Sequence, residues 1–214
     1  MIKVLYALIK LLAVGLLLIS VEVSAKQAET PVKAKVLVWG DSLSAAYGIP
    51  QEKGWVSLLQ GQYIDELEIV NASISGETTQ GGLSRLSAAL ERVKPSLLLL
   101  ELGANDGLRG IQTEVMQENL LKMIEMSQAA GADVVLLGIR IPLNYGFVYT
   151  QKFEKVFQDL AEQFELPLLP FLLESVALDF DLMQADGLHP TAEAQPKILE
   201  HVLTILEPIL RSML

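Results

Sequence analysis

Apolar residues along the chain follow two rhythms that take turns. Apolar-rich runs at residues 36–39, 67–71, 96–102, 134–139 and 168–169 predict strands, and the four leucines at 97–100 suit a strand covered on both faces. Between the runs, apolar positions recur with the helical period of about 3.6 residues. Trp55, Leu58, Leu59 and Ile64 mark one helix, and Leu83, Leu86, Leu90 and Val93 a second, which Pro95 stops. Val115, Met116, Leu120, Met123 and Ile124 mark a third that ends near Gly131. Phe153, Val156, Phe157, Leu160 and Phe164 mark a fourth, and Leu199, Val202, Leu203, Leu206, Ile209 and Leu210 the last. Alternation without repeats or a second linker predicts one α/β domain, a three-layer α/β/α sandwich around a five-stranded parallel sheet.

The first residues follow neither rhythm. Lys3 and Lys10 precede an apolar stretch broken only by Ser20, and Ser24-Ala25 offers a small-residue cleavage site. Residues 1–25 are expected to be a signal peptide cut after Ala25, with a retained anchor as the alternative. Residues 26–35 are then a linker and 36–214 the domain, placed in the periplasm or secreted. There is no cysteine, which excludes a lipoprotein anchor, disulfides, a thiol nucleophile and thiolate-held metal. The formal net charge of −10 makes polyanions poor partners. No nucleic acid is expected as a partner, and no stable membrane insertion after signal cleavage.

In a parallel α/β sheet, sites gather at the carboxyl ends of the strands. Polar clusters fall there repeatedly. The first strand ends in Gly40-Asp41-Ser42-Leu43-Ser44, the second in Asn71 followed by Ser75-Gly76, and the third in Gly103-Ala104-Asn105-Asp106. After the fifth comes Asp186-Gly187-Leu188-His189-Pro190. A serine hydroxyl needs a base and a group that orients the base. Of the two histidines, His201 lies inside the last helix without polar companions and reads as structural or surface. His189 lies in a loop, with Pro190 expected to open the last helix, and Asp186 is spaced to fold back onto it. Ser42, His189 and Asp186 are therefore the candidate catalytic residues. The Ser42 and Gly76 N–H groups and the Asn105 amide are candidate oxyanion donors, although ordinary turn chemistry also accounts for Gly76 and Asn105. No G-x-S-x-G elbow occurs, which excludes a standard α/β-hydrolase. Neither a metal nor a cofactor is called for.

These blocks, together with Glu77-Thr78-Thr79, the continuation Gly107-Leu108-Arg109-Gly110, Pro142-Leu143-Asn144-Tyr145-Gly146 and Pro167-Leu168-Leu169-Pro170-Phe171, resemble the SGNH or GDSL hydrolases over essentially the whole mature chain. The likeness is greatest to the periplasmic thioesterase I, arylesterase and lysophospholipase branch. It implies a flavodoxin-like SGNH hydrolase fold, Ser42 as nucleophile, His189 as base, Asp186 as its acid and Ser42, Gly76 and Asn105 around the oxyanion. Asp41 then braces the loop rather than completing the triad. Ala104 stands where a common variant of the family has glycine.

The expected substrate is a small-molecule acyl ester, thioester or lysophospholipid. The apolar segment 141–149 reads either as an acyl-chain wall or mobile lip, or as a loop packed on the core. Thr78, Leu143, Tyr145 and Phe147 are candidate substrate contacts. Two competing readings keep the fold: a carbohydrate O-acetyl esterase and a non-catalytic acyl-chain binder.

Overall fold

The computed structural model describes residues 33–214, and the expected signal peptide and most of the expected linker lie outside them. Strand β1 (Ala34–Gly40) is followed by α1 (Trp55–Gln62), β2 (Leu67–Asn71), α2 (Thr79–Val93), β3 (Leu97–Glu101), the short α3 (Ala104–Leu108) and α4 (Thr113–Ala129). Then come β4 (Asp133–Leu137), α5 (Phe147–Phe164), β5 (Leu168–Leu169) and α6 (Gln195–Ser212). The five strands are all parallel in the order β2-β1-β3-β4-β5. Strand β1 thus begins at Ala34, inside the segment expected to be linker.

The core follows from the period of two along each strand. Val36, Val38, Leu97, Leu99, Val135 and Leu137 face α1 and α6, where Trp55, Leu59, Ile198, Val202 and Leu206 meet them. Leu37, Trp39, Leu98, Leu100, Val134 and Leu136 face the other way, onto α2, α4 and α5 through Leu86, Leu120, Met123, Phe153 and Phe157. Both faces of the sheet are therefore covered, which gives three layers. Buried leucine truncations in such a core cost about 2–5 kcal/mol each.

Four expectations about local structure are corrected. Ile64 lies beyond the end of α1 and is exposed, as is Val115 on α4, so neither belongs to the apolar stripe assigned to it. Helix α5 begins at Phe147, so the segment 141–149 is not one loop. It is an extended Ile141-Pro142, a 3-10 turn at Leu143–Tyr145, then Gly146 and the first turn of a helix. Pro190 does not open the last helix, which starts at Gln195 with Pro196 in its first turn. Pro190 instead forms an isolated antiparallel bridge with Met183. His189 is thus held by a small hairpin-like closure rather than by a helix start.

The chain leaves β1 toward β2 on one side, and β3 returns on the other side of β1. That reversal opens a crevice beyond the carboxyl ends of β1 and β3, where ligands bind in sheets of this order. Ser42 follows β1 and Asn105 follows β3.

Candidate active site

Ser42 sits on the turn after β1. The turn is closed by main-chain bonds from Ala45 N–H to the Asp41 carbonyl at 2.9 Å and from Tyr47 N–H to the Ser42 carbonyl at 3.3 Å. The Asp41 carboxylate folds back on the turn and accepts from Leu43 N–H at 3.0 Å. Beneath it lies Glu101, the last residue of β3 and fully buried. One oxygen of its carboxyl accepts from Asp41 N–H at 3.2 Å and from the Ser44 hydroxyl at 2.7 Å. Asn71 completes the support by donating to the Ser44 carbonyl at 2.8 Å. Gly40 owes its identity to this packing. A Cβ there would stand 2.4 Å from the Glu101 carboxyl and 3.0 Å from the Ser44 side chain. The glycine makes room for a carboxyl group rather than supplying a bend.

The Ser42 hydroxyl reaches His189 Nε2 at 2.8 Å, and His189 Nδ1 reaches Asp186 at 2.7 Å. A carboxylate only accepts, so Nδ1 carries the proton and Nε2 faces the serine O–H with its lone pair. Asp186 is itself fixed by the N–H groups of Leu188 at 2.9 Å and His189 at 3.0 Å. Burial alone would raise its pKa. The His189 N–H, the imidazole and the Leu188 N–H together outweigh that and bring Asp186 down to about 2. The Tyr47 ring packs against the imidazole, with ring centroids 4.5 Å apart.

The candidate oxyanion donors stand on the segments that follow β1, β2 and β3. Among the described residues, neither Ser42 N–H nor Gly76 N–H has a protein acceptor. Gly76 adopts φ +81°, a conformation suited to glycine, and its carbonyl is held by Arg109 at 3.1 Å. The Asn105 amide donates to the second oxygen of Asp41 at 3.1 Å, which leaves its other N–H for a ligand. Asp106 ties the two loops together by accepting from the Thr79 N–H at 2.8 Å and the Thr79 hydroxyl at 2.6 Å.

Burial raises Asp41 to about 6 against the pull of Leu43 N–H, Asn105 and His189. Glu101 is pushed well above the carboxylate range, first by burial and then by Asp41. Both effects favour the protonated form of Glu101.

A cavity of about 270 Å³ opens beside Ser42, Asn105 and His189. Its walls include Leu108, Ile139, Ile141, Phe171, Leu173 and Met183. The four candidate substrate contacts do not line it. Thr78 caps α2, its hydroxyl accepting from Gly81 N–H at 3.2 Å. Tyr145 donates from its hydroxyl to the Leu108 carbonyl at 3.2 Å. Leu143, which follows the lining residue Pro142, and Phe147, which opens α5, are exposed, 74% and 66%. Thr78, Leu143, Tyr145 and Phe147 are not among the lining residues. His201 bonds the Phe171 carbonyl at 3.0 Å from behind the cavity wall. Sequence reasoning missed Tyr47, Glu101 and Gln184. Glu101 had a signal, since a carboxyl closing a strand of leucines must be buried.

A serine, a histidine and an aspartate in hydrogen-bonded series at the carboxyl edge of a parallel sheet have the layout of a serine hydrolase. The chain belongs to the GDSL-like Lipase/Acylhydrolase family, whose pattern it matches over residues 38–195. It is 49% identical to the esterase TesA of Pseudomonas aeruginosa over 178 residues, covering 82% of this chain and 89% of that protein. It is 42% identical to thioesterase 1/protease 1/lysophospholipase L1 of Escherichia coli over 174 residues, or 81% and 84% of the two chains. Among solved structures, the psychrotrophic esterase EstA from Pseudoalteromonas, inhibited by monoethylphosphonate, superposes with a TM-score of 0.80 at 44% identity. That match covers 84% of this chain and all of the other.

Proposed function

We propose that this protein hydrolyses carboxylic esters and thioesters through an acyl-enzyme on Ser42, with apolar acyl chains as the preferred acyl half. The observation that carries this reading is the series Ser42, His189, Asp186 at 2.8 and 2.7 Å, opening onto the apolar cavity. His189 Nε2 takes the Ser42 proton as Oγ bonds to the acyl carbonyl carbon, and the carbonyl electron pair moves onto oxygen. The Ser42 and Gly76 N–H groups and the Asn105 amide stabilise that oxyanion. When the intermediate collapses, the alcohol or thiol departs with the proton from His189. Water then loses a proton to His189, attacks the acyl-enzyme and releases the acid, which restores Ser42. The Asp186 carboxylate holds the imidazole tautomer and stabilises the imidazolium.

The family membership and the relatives named esterase, thioesterase and lysophospholipase support this chemistry. The cavity supports the acyl preference. An acetyl group would leave most of its leucine, isoleucine and phenylalanine wall unfilled, so an O-acetyl carbohydrate esterase fits less well. A longer chain, such as that of a lysophospholipid, would continue over Pro142 onto the exposed Leu143 and Phe147. Residues 1–25 support a periplasmic or secreted location.

The test is hydrolysis of p-nitrophenyl esters from acetate to dodecanoate, with acyl thioesters and lysophospholipids in parallel, by the protein and by Ser42→Ala. The expected result is a rise in kcat/KM from acetate to longer chains and its loss in the variant. Full activity in Ser42→Ala contradicts the proposal, and a strict acetate preference moves the assignment to O-acetyl esters.

A further inference from the structure

Ser42 and His189 stand 147 positions apart in the chain, on two different loops. Gln184 belongs to the second loop. Its main-chain N–H donates to the His189 carbonyl at 2.7 Å, and its carbonyl accepts from Gly187 N–H at 2.9 Å, closing the turn that presents Asp186. Its side chain reaches further. The amide nitrogen donates to the Pro190 carbonyl at 2.9 Å and to the Tyr47 carbonyl at 2.8 Å. Tyr47 is part of the Ser42 turn. Among the described residues, the other hydrogen bond joining residues 41–48 to residues 184–191 is the Ser42–His189 pair itself. The orientation of the amide is fixed by its partners, because a flipped group would set oxygen against two carbonyl oxygens. Gly48 makes way for it. A Cβ there would lie 2.3 Å from the Gln184 amide oxygen, at a backbone φ of +74°.

We propose that Gln184 is a positioning residue that sets the reach of His189 to Ser42, by holding the carbonyls of Tyr47 and Pro190 on one amide. The proposal rests on the Ser42 esterase reading above. It assigns the strut a particular moment of action. In the acyl-enzyme Ser42 Oγ is an ester oxygen without a proton, so the bond that draws serine and histidine together is gone. The Gln184 amide then keeps the imidazole in place to deprotonate water.

The test compares the full-length protein with Gln184→Met, which keeps length and loses both donors, and Gln184→Glu, which sets a carboxylate against the same carbonyls. Ser42→Ala serves as the reference. With p-nitrophenyl butyrate, Gln184→Met is expected to lose roughly 10–100-fold in kcat, the scale of an ångström-sized misplacement. KM should stay level or fall, the pre-steady-state burst of p-nitrophenol should grow as acyl-enzyme accumulates, and the thermal midpoint should hold. Gln184→Glu should lose more. Wild-type kcat in Gln184→Met overturns the proposal. So does a loss that comes with a lowered thermal midpoint and no larger burst, since that is a structural role only. Activity surviving in Ser42→Ala removes the esterase reading and the strut with it. An inactive Ser42→Ala beside a fully active Gln184→Met removes the strut alone.

Discussion

The site has two halves built in opposite ways, and its two aspartates show the difference. Asp41 is fully buried on the turn after β1 and is raised to about 6, while Asp186 has 40% of its side chain exposed and is lowered to about 2. Asp41 stands over a second buried carboxyl, Glu101, and its own oxygens go to Leu43 N–H and the Asn105 amide. Asp186 stands at the surface, and its oxygens go to two N–H groups of its own loop and to the histidine. Ionisation at Asp41 works against burial, whereas at Asp186 it is favoured by the donors around it. An acid that must remain charged to hold an imidazolium belongs in the second setting. A motif aspartate beside the nucleophile is therefore not the triad acid merely because it is adjacent in sequence. Its geometry instead aims the Asn105 amide.

Substitutions at these residues are expected to differ widely in cost. The largest effect is expected for His189→Ala, a loss of kcat on the order of 10⁶-fold with the thermal midpoint nearly unchanged. Asp186→Asn should follow at about 10⁴-fold, because the wrong tautomer then faces Ser42. Asp41→Asn should cost less, about 10²–10³-fold, the cost of one misdirected oxyanion donor, and Asn105→Ala should match it. Steady-state kinetics on one aryl ester would rank all four. If Asp41→Asn cost more than Asp186→Asn, the roles assigned to the two aspartates would be reversed.

Glu101 sharpens the contrast through stability. Glu101→Gln keeps a neutral group that accepts from Asp41 N–H and Ser44, so its urea midpoint should stay close to that of the parent. Glu101→Leu leaves those donors unpaired at about 1–3 kcal/mol each. Equal destabilisation by both changes would mean that Glu101 is charged in the folded protein.

The smallest effect is the dependence of stability on pH. Asp186 lies below its ordinary value of 3.8, so its contribution is present above that value and fades as pH falls toward about 2. Asp41 lies above 3.8, so the folded state holds its proton up to about 6 and stability declines as pH rises across that window. Urea midpoints from pH 2 to 7 should lose the acid-side rise in Asp186→Asn and the decline above pH 4 in Asp41→Asn.

Much of this was readable in the chain because it is local. The five strands and the polar clusters at their carboxyl ends follow from period and punctuation, and a parallel sheet places those clusters on one rim. Pro190 was misleading because proline suits both a helix start and the extended bridge to Met183 that it adopts. Phe147 and Val148 read as loop because Pro142 and Gly146 punctuate the segment, yet they form the first turn of α5. Gln184 and Tyr47 left no sequence signal at all. Their bond spans 137 positions and depends on how two loops meet, which no local pattern encodes.

The proposed mechanism requires Ser42 to be the one activated hydroxyl. Incubation with a fluorophosphonate, followed by intact-mass analysis and peptide mapping, addresses it most directly. A single adduct on Ser42, absent in His189→Ala over the same time, is the expected result. No adduct, or an adduct on another serine or threonine, would contradict it.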